Sequence, residues 1–135
     1  MTPAIEAEMK VLQSLENEIT GLQNKQQTLT SQLNENSMVK QEMDLLNSDS
    51  KVYKLVGPVL VLQEFNSAKD NVEKRLEYIQ KDMKRVEDAI TNKSKGAGDL
   101  QQQIIKMQQE EAKRLQALQQ QSSAERQAVV LPNGK

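Results

Sequence analysis

The stretch Lys51-Val-Tyr-Lys-Leu-Val-Gly-Pro-Val-Leu-Val-Leu62 decides the fold of this chain. Its valine, tyrosine and leucine side chains suit a pleated surface, and Gly57-Pro58 interrupts it halfway, which predicts two short strands joined by a turn. Both faces of these strands are largely apolar. Because a lone two-stranded hairpin is marginal in water, the pattern predicts pairing with strands of other chains. The predicted assembly residues are Val52, Tyr53, Leu55, Val56, Gly57, Pro58, Val59, Leu60, Val61 and Leu62.

A polar segment with coiled-coil spacing precedes the hairpin. We predict a helix over residues 3–46, with Thr2 as its capping residue and Pro3 at its first position. Its apolar residues recur every seven positions, divided into threes and fours, which is typical of a coiled-coil seam. The seam residues are Ile5, Leu12, Leu15, Ile19, Leu22, Leu29 and Leu33, with Gln26 and Asn36 as polar interruptions.

A second coiled-coil helix is predicted over residues 67–121. Ser67 and Asp70 have the spacing of a capping box, in which each side chain satisfies a backbone donor of the other residue. The predicted seam residues are Leu76, Ile79, Met83, Val86, Ile90, Ala97, Leu100, Ile104, Met107 and Leu118, with Lys93, Glu111 and Arg114 as polar breaks. Acid-first pairs four residues apart favour ion pairs on the helix surface. These pairs are Asp70 with Lys74, Glu77 with Lys81, and Glu110 with Arg114.

Gly96 and Gly98 interrupt the second helix, and each glycine costs about 1 kcal/mol relative to alanine. The sequence leaves two readings open, a frayed but continuous coiled coil or a hinge. The heptad pattern is lost over residues 122–135, for which we predict a loose tail. The fold class is therefore mainly α: a single domain in which two helices form an antiparallel coiled-coil hairpin with one β-hairpin at the bend.

The composition excludes several classes of function. The chain has 135 residues, of which 36% are hydrophobic and only 2% aromatic, too little bulky apolar material for a globular core. A net charge of -1 favours neither nucleic acid nor an anionic membrane. Without any His or Cys, the commonest general base, nucleophile and transition-metal ligands are missing. We predict no catalytic residue, cofactor or metal, no membrane partner, and a cytoplasmic location.

The hairpin and its flanks resemble the β-type subunits of prefoldin. The resemblance extends from about Leu33 to Arg85 and rests on the Lys51–Leu62 stretch together with Leu33-Asn-Glu-Asn36 and Lys74-Arg-Leu-Glu-Tyr-Ile79. It implies a heterohexamer of two α-type and four β-type subunits whose hairpins form a β-barrel. It further implies that coiled-coil tips hold unfolded actin and tubulin and pass them, without ATP, to the cytosolic group II chaperonin.

If the two helices fold back on each other, apolar residues near both chain ends meet at a tip. The predicted client-binding residues are Ile5, Met9, Val11, Leu12, Leu115 and Leu118, with Val129, Val130 and Leu131 of the tail as further candidates. These residues have a second reading, in which they merely close the coiled coil. The alternative function is a coiled-coil scaffold or tether that does not bind unfolded chains.

Overall fold

The computed structural model describes residues 1–127 and contains two long helices with a small antiparallel hairpin between them. Helix α1 spans Pro3–Asp44, strand β1 Val52–Val56, strand β2 Val59–Gln63, and helix α2 Phe65–Gln127. The mainly helical fold with one hairpin between the helices is therefore confirmed. Residues 128–135, including the tail candidates Val129, Val130 and Leu131, lie outside the described residues.

The hairpin is closed by a two-residue turn at Gly57-Pro58. Val56 lies opposite Val59, and the register continues to Val52 opposite Gln63. Gly57 has a φ of 56°, which L-residues with a side chain rarely adopt, and proline fixes the next φ near -65°. A positive and then a negative φ identify a type II′ turn, whose twist matches that of the strands it joins. The predicted Gly-Pro turn is thus confirmed.

The start of α1 is confirmed, since the Thr2 hydroxyl accepts a hydrogen bond from the Ile5 amide at 3.2 Å. The predicted end at Leu46 is two residues too late. The amides of Leu45 and Leu46 bond the carbonyls three residues earlier, at 3.1 Å each, which tightens the last turn and stops the helix. Asn47 then forms a turn, because its side-chain oxygen accepts a hydrogen bond from the Asp49 amide at 3.0 Å.

The start of α2 differs from the predicted capping box at Ser67. The Ala68 amide bonds the Glu64 carbonyl at 3.0 Å, which makes Glu64 the capping residue and Phe65 the first helical residue. The Ser67 hydroxyl instead donates to the Glu64 carboxylate at 2.8 Å, while Asp70 pairs with Lys74 at 2.9 Å. Ser67 therefore stabilises the first turn from within it.

The described residues divide into two compact units, the first formed by residues 1–16 with 94–127 and the second by residues 17–93. In the second unit, two buried clusters lie between the helices. Met43 packs with Ala68, Val72 and Leu76, and the hairpin's Val52 contacts this cluster. The other cluster comprises Leu29, Ile79 and Val86, with Leu22, Leu33, Met83 and Ile90 packed against it. Both predicted seams are confirmed in this unit.

Ion pairs between the two helices of the second unit favour one alignment of the helices over others. Lys93 on α2 reaches Glu18 on α1 at 2.8 Å, and Lys25 reaches Asp82 at 3.7 Å. These contacts are partly exposed, so each contributes little to stability while disfavouring a shifted alignment. Of the predicted pairs within α2, Asp70–Lys74 and Glu77–Lys81 are confirmed.

In the first unit, Ile5 and Ile104 are buried, and Leu12, Leu15, Ala97, Leu100 and Met107 are half-buried. Helix α2 is continuous through both glycines, so the backbone does not break there, and the hinge reading stays a prediction. A methyl group added at Gly96 would lie 3.9 Å from the Leu15 side chain, whereas Gly98 faces open space. The predicted seam ends too late, because Leu118 is 51% exposed.

The predicted boundary between helix and tail is also wrong. Helix α2 continues through Gln127, so residues 122–127 are helical rather than loose. The predicted pair of Glu110 with Arg114 is replaced by a two-bonded contact between Arg114 and Glu111, at 2.7 and 3.2 Å. Glu111 and Arg114 are three residues apart and therefore neighbours on the helix surface, whereas the prediction considered only acid–base pairs four residues apart.

Candidate functional site

Two apolar surfaces stand out among the described residues, and each lies within one unit. We call the first the hairpin surface; it consists of the exposed apolar residues of β1 and β2. These are Tyr53, Leu55, Val56, Val59, Leu60, Val61 and Leu62, which are 44% to 67% exposed. All belong to the predicted assembly set. Of the remaining members of that set, Val52 is half-buried against the helices, and Gly57 and Pro58 form the turn.

The register assigns these side chains to two faces, since successive residues of a strand point to opposite sides. Tyr53 and Leu55 of β1 share one face with Leu62 and Leu60 of β2, which lie directly opposite them. The other face carries Val52, Lys54, Val56, Val59, Val61 and Gln63. Lys54 is therefore the only charged residue of the two strands. The prediction that both faces are largely apolar is confirmed.

The base of the hairpin meets the helices of the same unit at an open groove of about 360 Å³. The residues that line it include Val39, Leu46, Tyr53, Val72 and Arg75. Val39 and Leu46 are each 44% exposed, and Leu45 beside them is 87% exposed. Val39 and Leu46 line this groove together with residues of the hairpin. The exposed apolar area of the second unit therefore extends beyond the hairpin surface to these residues of α1.

We call the second surface the terminal surface; it belongs to the first unit. Its members are apolar residues at least two-fifths exposed: Met1, Met9, Val11, Ile105, Leu115 and Leu118. Met9, Val11, Leu115 and Leu118 were predicted as client-binding residues. Met1 and Ile105 were not, since a chain-end methionine and an isoleucine off the heptad carried no sequence signal.

Two of the predicted client-binding residues are less accessible than the others. Ile5 is only 3% exposed, and Leu12 is half-buried. Ile5 lies in the seam, where it lines one shallow groove with Met107 and Glu111 and another with Met1 and Leu115. For Ile5 the reading that it closes the coiled coil is therefore the better one.

Electrostatics at the terminal surface are local. The hydrogen bonds that Arg114 donates to Glu111 lower the pKa of that carboxyl below its usual range and raise the pKa of the guanidinium. Among residues 1–127, no group of three or more acidic side chains is arranged to hold a metal ion. Neither helix, over the same residues, carries a stretch apolar enough to cross a membrane. The hairpin surface and the terminal surface would therefore bind a partner mainly through apolar contacts.

Paired helices with an exposed strand pair define the class of this chain: a coiled-coil interaction protein built around a β-hairpin. Comparison with known proteins identifies the family. The prefoldin subunit family matches residues 6–111, and the chain belongs to that family. The resemblance seen in the sequence is therefore confirmed.

Several relatives carry the name prefoldin subunit 6. The probable prefoldin subunit 6 of Caenorhabditis briggsae is 43% identical over 103 residues, covering 76% of this chain and 80% of the relative. That of Drosophila melanogaster is 42% identical over 106 residues, covering 78% and 85%. Human prefoldin subunit 6 is 35% identical over 106 residues, covering 78% and 82%.

A solved structure shares the fold. The prefoldin beta subunit from Thermococcus strain KS-1 superposes with a TM-score of 0.69 at 21% identity, covering 76% of this chain and 90% of the other. Membership of the family makes the chain a chaperone subunit of a multi-subunit prefoldin complex. Prefoldin subunits have no enzymatic activity, so the prediction that this chain is not an enzyme is confirmed.

Proposed function

We propose that this chain is an ATP-independent co-chaperone subunit that acts in the cytoplasm within a heterohexamer of α-type and β-type subunits. Its terminal surface captures unfolded clients, actin and tubulin among them, and the complex delivers them to the cytosolic group II chaperonin. The family resemblance supports the complex and its clients. The terminal surface supports capture by this chain.

The observation that carries the proposal is the exposed apolar area of the first unit. Met9, Val11, Leu115 and Leu118 are 41% to 55% exposed, although the heptad seam beside them buries Ile5 and Ile104. Full burial of such a side chain contributes about 1.5–3 kcal/mol, so roughly half of that remains available to a partner at each position. Several modest contacts repeated over several subunits hold a non-native chain reversibly.

The shape of this surface favours a client without a fixed fold. Helix α2 continues past Leu115 to Gln127, and every one of those residues is exposed. Its apolar side chains stand among glutamines on an open helix and form no enclosed pocket that would select one rigid ligand. Flexible methionine side chains such as Met9 adapt to varied partners.

The test is capture of a denatured client by the reconstituted hexamer. Met9, Val11, Leu115 and Leu118 are replaced together by serine, and Ile5 is kept because it is buried. We expect intact assembly, because the hairpin and the second unit are untouched, and weaker suppression of aggregation of diluted, denatured actin. Tyr78→Ser serves as the control, since Tyr78 is 70% exposed but belongs to the second unit.

Equivalent changes in the other β-type subunits are needed, because neighbouring subunits compensate for one altered chain. If the fully substituted hexamer protects actin as well as the unaltered one, the terminal surface does not bind clients. That result favours the coiled-coil tether without affinity for unfolded chains.

A further inference from the structure

Sulfur in this chain is confined to methionine. The sequence contains six methionines and no cysteine, so the thioether is the only sulfur group that a peroxide can oxidise. Three of the methionines are buried or half-buried: Met43, Met83 and Met107. The other three are 72%, 41% and 60% exposed: Met1, Met9 and Met38. Because the oxidant must reach the side chain, these exposed methionines react first.

Met9 belongs to the terminal surface and borders the coiled-coil seam. It lies in α1, four residues after Ile5 and three before Leu12, and residues at these spacings are neighbours on the helix surface. Ile5 is buried in the seam and Leu12 is half-buried, while Met9 itself stays 41% exposed. The Met9 side chain is therefore accessible to a small oxidant at the position where the terminal surface would contact a client.

We propose that Met9 is a site of reversible oxidation, at which hydrogen peroxide converts the thioether to a sulfoxide and thereby weakens the capture of unfolded clients by this chain. The inference rests on the function proposed above for the terminal surface. A sulfur lone pair attacks one peroxide oxygen, an S–O bond forms as the O–O bond breaks, and the departing hydroxide takes the proton of the transferred oxygen and leaves as water. Sulfur loses the two electrons that the peroxide gains. A methionine sulfoxide reductase, with a dithiol as the reductant, restores the thioether and releases water.

The sulfoxide changes the contact that Met9 makes with a client. The thioether is apolar and flexible and packs against varied side chains, whereas the sulfoxide carries a polar oxygen that accepts hydrogen bonds. When apolar groups of a client cover that oxygen, it is left without a donor, and a buried acceptor without a donor costs free energy. Since capture is the sum of several modest contacts, oxidation at one of them weakens binding without abolishing it.

Met38 separates an effect on the terminal surface from a general effect of oxidation. It lies in the same helix as Met9 and is more exposed, but it belongs to the second unit, as does the hairpin surface. The methionines in the buried clusters of that unit, Met43 and Met83, are shielded by their packing. Oxidation at Met9 should therefore leave the hairpin and the second unit intact, and Met38 is the matched control.

The experiment oxidises two variants of the full chain, Met9→Leu and Met38→Leu, each of which removes one exposed sulfur with little change in side-chain volume. Each variant is treated alone with dilute hydrogen peroxide, catalase removes the peroxide, and the hexamer is then reconstituted, so that neither the client nor the other subunits are oxidised. The other β-type subunits carry serine at the positions equivalent to the terminal surface, so that protection of diluted, denatured actin depends on this chain. Peptide mass spectrometry measures the oxidised fraction at each methionine.

Each oxidised sample is compared with its own untreated sample. We expect Met9 and Met38, where present, to be oxidised before the buried and half-buried methionines. Oxidation should raise the concentration of the Met38→Leu hexamer that gives half-maximal protection about three- to tenfold, and methionine sulfoxide reductase should reverse this rise. The Met9→Leu hexamer should keep its protection. Both variants retain Met1, so a difference between them reports on Met9.

Two results overturn the proposal and leave the proposed function standing. One is a Met9 that stays reduced under conditions that oxidise Met38, and the other is an equal change in protection, or none, for the two oxidised variants. A third result concerns the untreated chain. If its hexamer protects actin no better than a hexamer in which this chain carries the fourfold serine substitution, the terminal surface does not capture clients, and both proposals fail.

Discussion

Replacing Ile79 by alanine tests the seam of the second unit. Ile79 is 6% exposed and packs with Leu29 and Val86, so the substitution removes three buried carbon atoms. At about 0.8 kcal/mol per buried CH₂ the loss is about 2.4 kcal/mol. Alanine returns a few tenths of a kcal/mol through its higher helix propensity. We expect a net destabilisation of about 2 kcal/mol, near the lower end for isoleucine in a core, because a two-helix seam closes around a small cavity more readily than a globular interior.

The measurement is urea unfolding followed by circular dichroism at 222 nm, with all variants at one protein concentration. For a slope of about 2 kcal/mol/M the midpoint should fall by about 1 M. Tyr78→Ala is the control, since Tyr78 is the preceding residue of the same helix and 70% exposed. We expect its midpoint to change by less than a quarter as much. Equal shifts for the two variants would refute the assignment of the core to the heptad seam.

Two further predictions concern local geometry. Gly57→Ala should lower the melting temperature, because an alanine at a φ of 56° costs about 1 kcal/mol. Gly98→Ala should raise the melting temperature, because Gly98 faces open space within α2 and alanine has a helix propensity about 1 kcal/mol more favourable. Equal shifts of the melting temperature in the same direction would contradict both assignments. Arg114→Gln should raise the pKa of Glu111, as followed by NMR of its carboxyl carbon. Because the pKa of Glu111 is lowered in the folded chain, the pair stabilises the fold at pH values above the ordinary carboxyl pKa, and this contribution is lost as the pH falls through the lowered pKa. An unchanged titration of Glu111 in the Arg114→Gln variant would contradict the contact.

The heptad and the hairpin were predictable because each rests on a repeated local pattern. Leu29 and Val86 follow the seven-residue spacing, and Gly57 supplies the positive φ that the turn requires. The helix ends were less predictable, since they depend on single hydrogen bonds. Glu64 rather than Ser67 caps α2, a choice that capping preferences alone do not favour.

The candidate surfaces were predicted in part. The apolar run interrupted by Gly57-Pro58 identified the hairpin surface almost completely, because its residues share one short, continuous segment. The terminal surface depends on where one helix outlasts the other, which no spacing rule encodes. The prediction included Ile5, which is buried in the seam, and omitted Met1 at the chain end and Ile105 off the heptad, which are both exposed.

The surplus length of α2 has a kinetic consequence. Past Leu115 its turns are exposed and have no opposing helix among the described residues of the first unit, and helix ends without packing partners open at little cost in free energy. These turns therefore form and melt as a helix–coil equilibrium, which relaxes in about 0.1–1 μs. A segment that covers Leu118 shifts this equilibrium toward helix, so the order of the last turns reports occupancy. Amide hydrogen exchange along α2 would read that order residue by residue.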